Sequence, residues 1–172
     1  MGRRRGRPRR VRGGRARLPL TLAVQFSVRA AVAAGLAVAI AERLRLPFPI
    51  YSMIAAVIVT DLSSAQTRRL GVPRLAGTVI GGIVGAALIS TLGPGPLAVV
   101  VGIMSAMLIS HLLRLREAAK VAGYVSGVVL LEHGADPWLY AWLRLLETLL
   151  GIGIAILVAF LPKVLRTERD VR

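Results

Sequence analysis

The chain has no cysteine, only two histidines (His111 and His133), and eight acidic residues spread over 172 positions. Without cysteine there is no disulfide, no thiolate metal site and no sulfur nucleophile. Carboxylates and imidazoles this few and this scattered do not supply the usual ingredients of an acid–base or metal centre. No Walker-type loop, GxGxxG, HExxH or nucleophile elbow occurs either, so the ATPases, nucleotide enzymes and hydrolases that those motifs mark are not indicated. What the chain does have is apolar. It is 55% hydrophobic and 18% charged, with a mean hydropathy of +0.68, whereas a soluble domain has about 45–50% apolar and about 25% charged residues. The composition is that of a membrane protein.

A helix needs about 20 apolar residues to cross a hydrocarbon core roughly 30 Å thick. By that ruler residues 18–41 form one span, interrupted only by Arg29, and 47–64 form a second, shorter one. The run from Leu75 to Leu113 is long enough for two spans, 72–91 and 95–113, which separate where Gly and Pro turn the chain at Leu92 to Pro96. Residues 118–134 make a fifth and 137–162 a sixth, opened by Pro137 at a helix start. The sequence therefore predicts an all-α membrane protein of six transmembrane helices over 18–162. A basic disordered tail, 1–17, precedes it and a short tail, 163–172, follows.

Lys and Arg resist translocation. With the N-terminus in the cytoplasm, 19 basic residues fall inside and only Arg43 and Arg45 outside. Both termini are therefore expected in the cytoplasm, and the chain in the plasma (inner) membrane. The first apolar run is longer than a signal-peptide core and lacks a small-residue cleavage site, so it is expected to be retained. Trp138, Tyr140 and Trp142 are expected at the outer headgroup level. Nine of the 21 arginines precede residue 18. Such a tail suits topogenesis or anionic lipid head groups far better than nucleic acid, although RGRPRR (Arg5 to Arg10) is similar to a minor-groove hook.

An arginine near the bilayer centre costs about 2.5–3.5 kcal/mol on insertion scales and persists only when paired or facing water. Arg29 and Glu147 are expected at one depth. They either form an ion pair that locks the first helix to the sixth, or Arg29 joins Arg144 in lining a polar path that attracts anions. Arg144 and Glu147, three apart on one helix, could also neutralise each other. Gly77, Gly81 and Gly85 form a small-residue stripe where another helix can approach closely, within one subunit or at a dimer seam. Gly102, Ala106 and Ser110 form a weaker one.

The pattern R-L-x-x-T-x-x-G recurs after 70 residues, from Arg74 to Gly81 and from Arg144 to Gly151. Helix two ends at Asp61 and helix five at Glu132, 71 residues later. A repeat of three helices, an odd number, must reverse across the membrane in its second copy, which gives a 3+3 inverted repeat with its site between the halves. That plan places Arg74 near the cytoplasmic mouth and Arg144 near the outer one. Thr78 and Thr148 follow a turn deeper, each bonding a carboxylate or its own helix.

The stretch from Arg29 through Pro47 to Tyr51, RRLGVPRLAGTVIGGIVGA (68–86) and RLLETLLGIGIAILVAFLP (144–162) resemble the membrane domain of the fusaric acid resistance, or aromatic acid exporter, family. Arg74, Gly77, Thr78 and Gly81 carry the best of the match, and a more distant resemblance reaches the plant aluminium-activated malate transporters. The resemblance implies a six-helix unit that exports aromatic carboxylates or related toxic compounds, with Arg29, Arg74 and Arg144 as its basic residues. Members usually add a cytoplasmic helical domain or a second six-helix half, which implies a homodimer or a partner for this chain.

Residues and resemblance together predict an efflux transporter or channel for small organic acid anions, including aromatic ones, with no enzymatic activity and neither cofactor nor metal. Arg29, Arg74, Arg144, Thr78 and Thr148 are the expected pathway residues; Glu147, Asp61 and Glu132 are the expected charge partners or proton carriers. The rival expectation is a non-transporting membrane scaffold or a subunit of a larger complex.

Overall fold

The computed structural model describes residues 19–132 and 136–160; the basic tail, His133 and the segment after Phe160 lie outside them. Among the described residues there are six α-helices and no strand: α1 (Leu20–Arg43), α2 (Pro49–Val59), α3 (Ser64–Leu92), α4 (Pro96–Leu112), α5 (Ala119–Glu132) and α6 (Pro137–Phe160). A 3-10 turn, Arg116–Ala118, leads into α5. By length and apolarity α1, α3 and α6 each suffice to cross a membrane, while α2 and α4 are shorter apolar helices.

Successive helices reverse direction. One end of the bundle, called here the near end, carries the starts of α1, α3 and α5 and the finishes of α2, α4 and α6; the far end carries the opposite set. Two boundaries differ from the sequence reading. Helix α2 stops at Val59 instead of 64, because Thr60 is extended and Asp61 closes a local turn: its Oδ1 accepts from Ser63 N at 3.2 Å, and its own N–H donates to Thr67 Oγ1 at 3.1 Å. Helix α3 starts at Ser64 instead of 72, carrying Arg68, Arg69 and Pro73 inside it. Proline removes its own N–H from the ladder and crowds the carbonyl four residues back, here that of Arg69, and α3 continues through it.

Helices α1 and α4 end in the same way. Leu46 N donates to Ala41 O at 2.9 Å and Arg45 N to Glu42 O at 3.0 Å; Leu115 N donates to Ser110 O at 2.8 Å and Arg114 N to His111 O at 3.0 Å. These paired bonds close a helix through one left-handed residue, a position that glycine usually takes. Here it is an arginine both times, Arg45 at φ 54° and Arg114 at φ 61°, each within Leu-Arg-Leu.

The packing partners also correspond. Helix α3 lies on α5 as α6 lies on α2, α1 flanks α2 and α6 while α4 flanks α5 and α3, and α3 crosses α6; α2 and α5 do not pack on each other. Small residues make these approaches possible, with Ala33, Ala37, Ala55, Ala56, Ala106 and Ala122 fully buried while many of the Leu, Val and Ile face outward. Without a hydrophobic drive inside lipid, close van der Waals contact of this kind holds helices together. The Gly77, Gly81 and Gly85 stripe is occupied within the chain by Val121, Val125 and Val129 of α5.

The register of this packing repeats. A β-carbon added to Gly81 would run into Ala122 O and lie 2.8 Å from Val125 Cβ and 3.0 Å from Ser126 N. One added to Gly151 would run into Ser52 O and lie 2.8 Å from Ala55 Cβ and 3.0 Å from Ala56 N. Every residue in the second set is 70 positions from its counterpart in the first. Where α3 crosses α6, Gly71 faces Ile152 and Gly82 faces Ala141, and the same shift exchanges the two contacts.

Candidate functional site

Arg74 on α3 and Arg144 on α6 are 2% and 3% exposed. Both point inward because they share a helix face with the close-packing glycines, Gly77 and Gly81 in one case and Gly151 in the other. The sequence reading set them at opposite mouths. Instead, the guanidinium carbons of both reach one ring, Tyr124 of α5, at 5.1 Å for Arg74 and 5.9 Å for Arg144. The cause is the α3–α6 crossing, which falls between Gly71 and Gly82 and between Ala141 and Ile152, next to both arginines. Arg144 also lies 3.6 Å from the centre of the Tyr51 ring. A cation over an aromatic face is attracted by the ring quadrupole, but a ring offers no lone pair to an N–H. Nε and Nη1 of both arginines lack hydrogen-bond partners.

Tyr140 completes the aromatic wall. Its hydroxyl hydrogen-bonds that of Tyr51 at 2.8 Å, and its ring meets Phe48 edge-on at 5.0 Å. Trp138 and Trp142 are 52% and 56% exposed, as residues at a headgroup level would be, whereas Tyr140 is buried. The sequence reading grouped all three. The signal that separates them is the four-residue step from Tyr140 to Arg144, which puts both on one helix face. Tyr124 had no such signal and was missed.

Glu147 is fully buried. Its Oε1 accepts from the N–H of Phe48, the residue that opens α2, at 2.8 Å, and its Oε2 has no partner. A helix N-terminus favours a carboxylate. Arg29 is not its partner: Nη1 donates to Leu62 O at 2.6 Å and Nη2 to Ala159 O at 2.5 Å. Those carbonyls belong to the connection after α2 and to the last turn of α6, where a helix has acceptors to spare. Arg29 thus ties α1 to two helix ends at the near end of the bundle, away from the Tyr124 ring. Replacing it with glutamine, which is shorter and uncharged, is expected to lower unfolding stability by about 1.5–3 kcal/mol. Denaturant titration in detergent should show that loss.

The remaining expected residues divide. Thr78 is buried and its hydroxyl donates back to Arg74 O at 2.9 Å; Thr148 is buried at the matching place on α6. Asp61 is held in its turn at the near end, and Glu132 is exposed where α5 finishes at the far end; neither joins the arginines. Among the described residues no group of three His, Cys, Asp or Glu is arranged to hold a metal ion.

A cavity of about 470 Å³ opens beside Arg74 at the near end, lined by Ile58, Leu70, Pro73, Arg116, Glu117, Lys120 and Val121 as well as Arg74. A second, of about 280 Å³, adjoins it and reaches Arg114. Four basic side chains against one acid give this end a positive field that draws anions.

Apolar helices that pack through alanine and glycine, around charged side chains buried among aromatic rings, define an integral membrane protein. A family model described as fusaric acid resistance protein-like matches residues 36–158, a stretch that holds both arginines and all three tyrosines, and the chain belongs to that family of membrane transport and efflux proteins. No curated protein matches the chain, and no solved structure does.

Proposed function

We propose that this protein exports small organic anions, aromatic carboxylates among them, along a path between two inverted three-helix halves. The observation that carries this reading is the pair of buried arginines with unpartnered Nε and Nη1 donors. A buried guanidinium without acceptors is costly, and a carboxylate is an acceptor of matching charge for such donors. The rings of Tyr51, Tyr124 and Tyr140 offer stacking surface to an aromatic acid. The 70-residue correspondence of contacts supports an inverted repeat, and an interface between such halves is where transporters place their sites.

In this reading all six helices cross the plasma membrane with both termini in the cytoplasm, so the near end faces inward. Arg116 and Lys120 gather the anion, Arg74 and Arg144 hold it, and Thr78 and Thr148 sit behind them. Glu147, with one oxygen free, is the counter-charge or proton carrier; Arg29 is left out of the path. The working unit is a homodimer whose basic tail meets anionic lipid. Liposomes reconstituted with the purified chain should release 4-hydroxybenzoate and malate saturably, above protein-free liposomes. A folded protein with no flux for any carboxylate would sink the proposal in favour of a membrane scaffold.

A further inference from the structure

The two arginines occupy matching places, yet the space beside them differs. Next to Arg74 it is open: Ile58, Leu70, Lys120 and Val121 line the 470 Å³ cavity. Shifted by 70 positions, Leu70 becomes Tyr140, Val121 becomes Tyr51, Ile58 becomes Val128 and Lys120 becomes Ile50. There the space is filled. Tyr51 and Tyr140 join their hydroxyls at 2.8 Å and Phe48 packs on both rings; Val128 packs against the same apolar cluster, which Val121 of the open side also meets. Backbone spacing is not the cause, because the approaches at Gly81 and Gly151 agree at 2.8 and 3.0 Å. The difference is made by two large side chains standing where the other half has smaller ones.

We infer that Tyr51 and Tyr140 are a gate that shuts the Arg144 side toward the far end while the Arg74 side stands open to the near end. The inference rests on reading the two arginines as one anion path. One neutral hydroxyl–hydroxyl bond is a weak latch. In that bond one hydroxyl donates to the other, so a carboxylate arriving at an unpartnered N–H of Arg144 competes for the same hydroxyl proton. Arrival of the anion therefore loosens the pair that blocks its exit. The Glu147 carboxylate accepts from the N–H of Phe48 and so steadies the third ring of the plug.

The chain has no cysteine, so single cysteines report water access without background. In nanodiscs, Ile58→Cys is expected to react with a charged methanethiosulfonate about tenfold or more faster than Val128→Cys, since only an accessible thiolate reacts. Adding Tyr51→Val and Tyr140→Leu, the residues at the matching places, should bring Val128→Cys close to the Ile58→Cys rate. Ile58→Cys carrying the same two changes must keep its rate, which shows that the bundle is intact. Should the double change fail that control, Tyr140→Leu alone is used, with a partial gain expected. A Val128→Cys that reacts as fast as Ile58→Cys in the parent, or stays slow once the tyrosines are gone and the control holds, overturns the gate. Labelling reads access, not transport: success here without carboxylate flux would leave the gate standing and overturn the assigned cargo.

Discussion

Replacing Arg144 with glutamine is expected to lower kcat/KM for monocarboxylate flux by about ten- to a hundredfold, the equivalent of one lost charge-assisted hydrogen-bond pair at about 1.5–3 kcal/mol. Glutamine keeps a donor, so the whole of that loss is charge and fork geometry. A second effect points the same way. Glu147 is fully buried three residues on, and any charge it keeps without the guanidinium repels an incoming anion in a medium that screens little. On α3 the position matching Glu147 is Gly77, and the carboxylate that lines the cavity with Arg74, Glu117, is exposed. Arg74→Gln should therefore cost less than Arg144→Gln. Arg144→Lys should fall between, since lysine keeps the charge but loses both the planar contact with Tyr51 and the two-pronged grip on a carboxylate. Initial rates across a concentration series in liposomes decide this. Equal flux in all four proteins would remove Arg144 from the path.

Hydropathy and length were enough to read six helices, because both are carried by the residues themselves, and the R-L-x-x-T-x-x-G pair pointed to the 70-residue shift at which the glycine contacts match. The depth of Arg29 was not readable. Counting from the start of the first span assumes a common starting plane, whereas Arg29 is fixed by the carbonyls of Leu62 and Ala159, which depend on α2 stopping early at Val59. Arg74 and Arg144 were expected at opposite mouths. Each lies near one end of its sequence segment, but the α3–α6 crossing brings both beside Tyr124. The valines that fill the glycine stripe, Val121, Val125 and Val129, are themselves spaced every four residues, so that contact was legible once α5 is known to lie on α3. The cavity was not, because it depends on whether two matched positions hold Leu70 and Val121 or Tyr140 and Tyr51.

The inverted repeat has a direct test in its packing. Gly81→Ala and Gly151→Ala are expected to destabilise the protein alike, by about 1–3 kcal/mol each, the usual cost of forcing an extra methyl into a tight contact. What each new β-carbon meets is backbone: the carbonyl oxygen of Ala122 in one case and of Ser52 in the other, with the amides of Ser126 and Ala56 at 3.0 Å behind. No side chain can rotate to make room, so α3 must lift from α5, or α6 from α2. Gly35→Ala and Gly153→Ala are the controls, since a β-carbon there has nothing within 4 Å. Alanine in place of a helical glycine should leave those two unchanged or more stable by about 0.5–1 kcal/mol. Unfolding in detergent measures all four on one scale. If the halves share one packing register, the two tight positions lose together and the two open ones do not. A large loss at Gly151 with none at Gly81 would mean that the matching contacts do not bear matching loads, and the pseudo-symmetric site built on them would have to be abandoned.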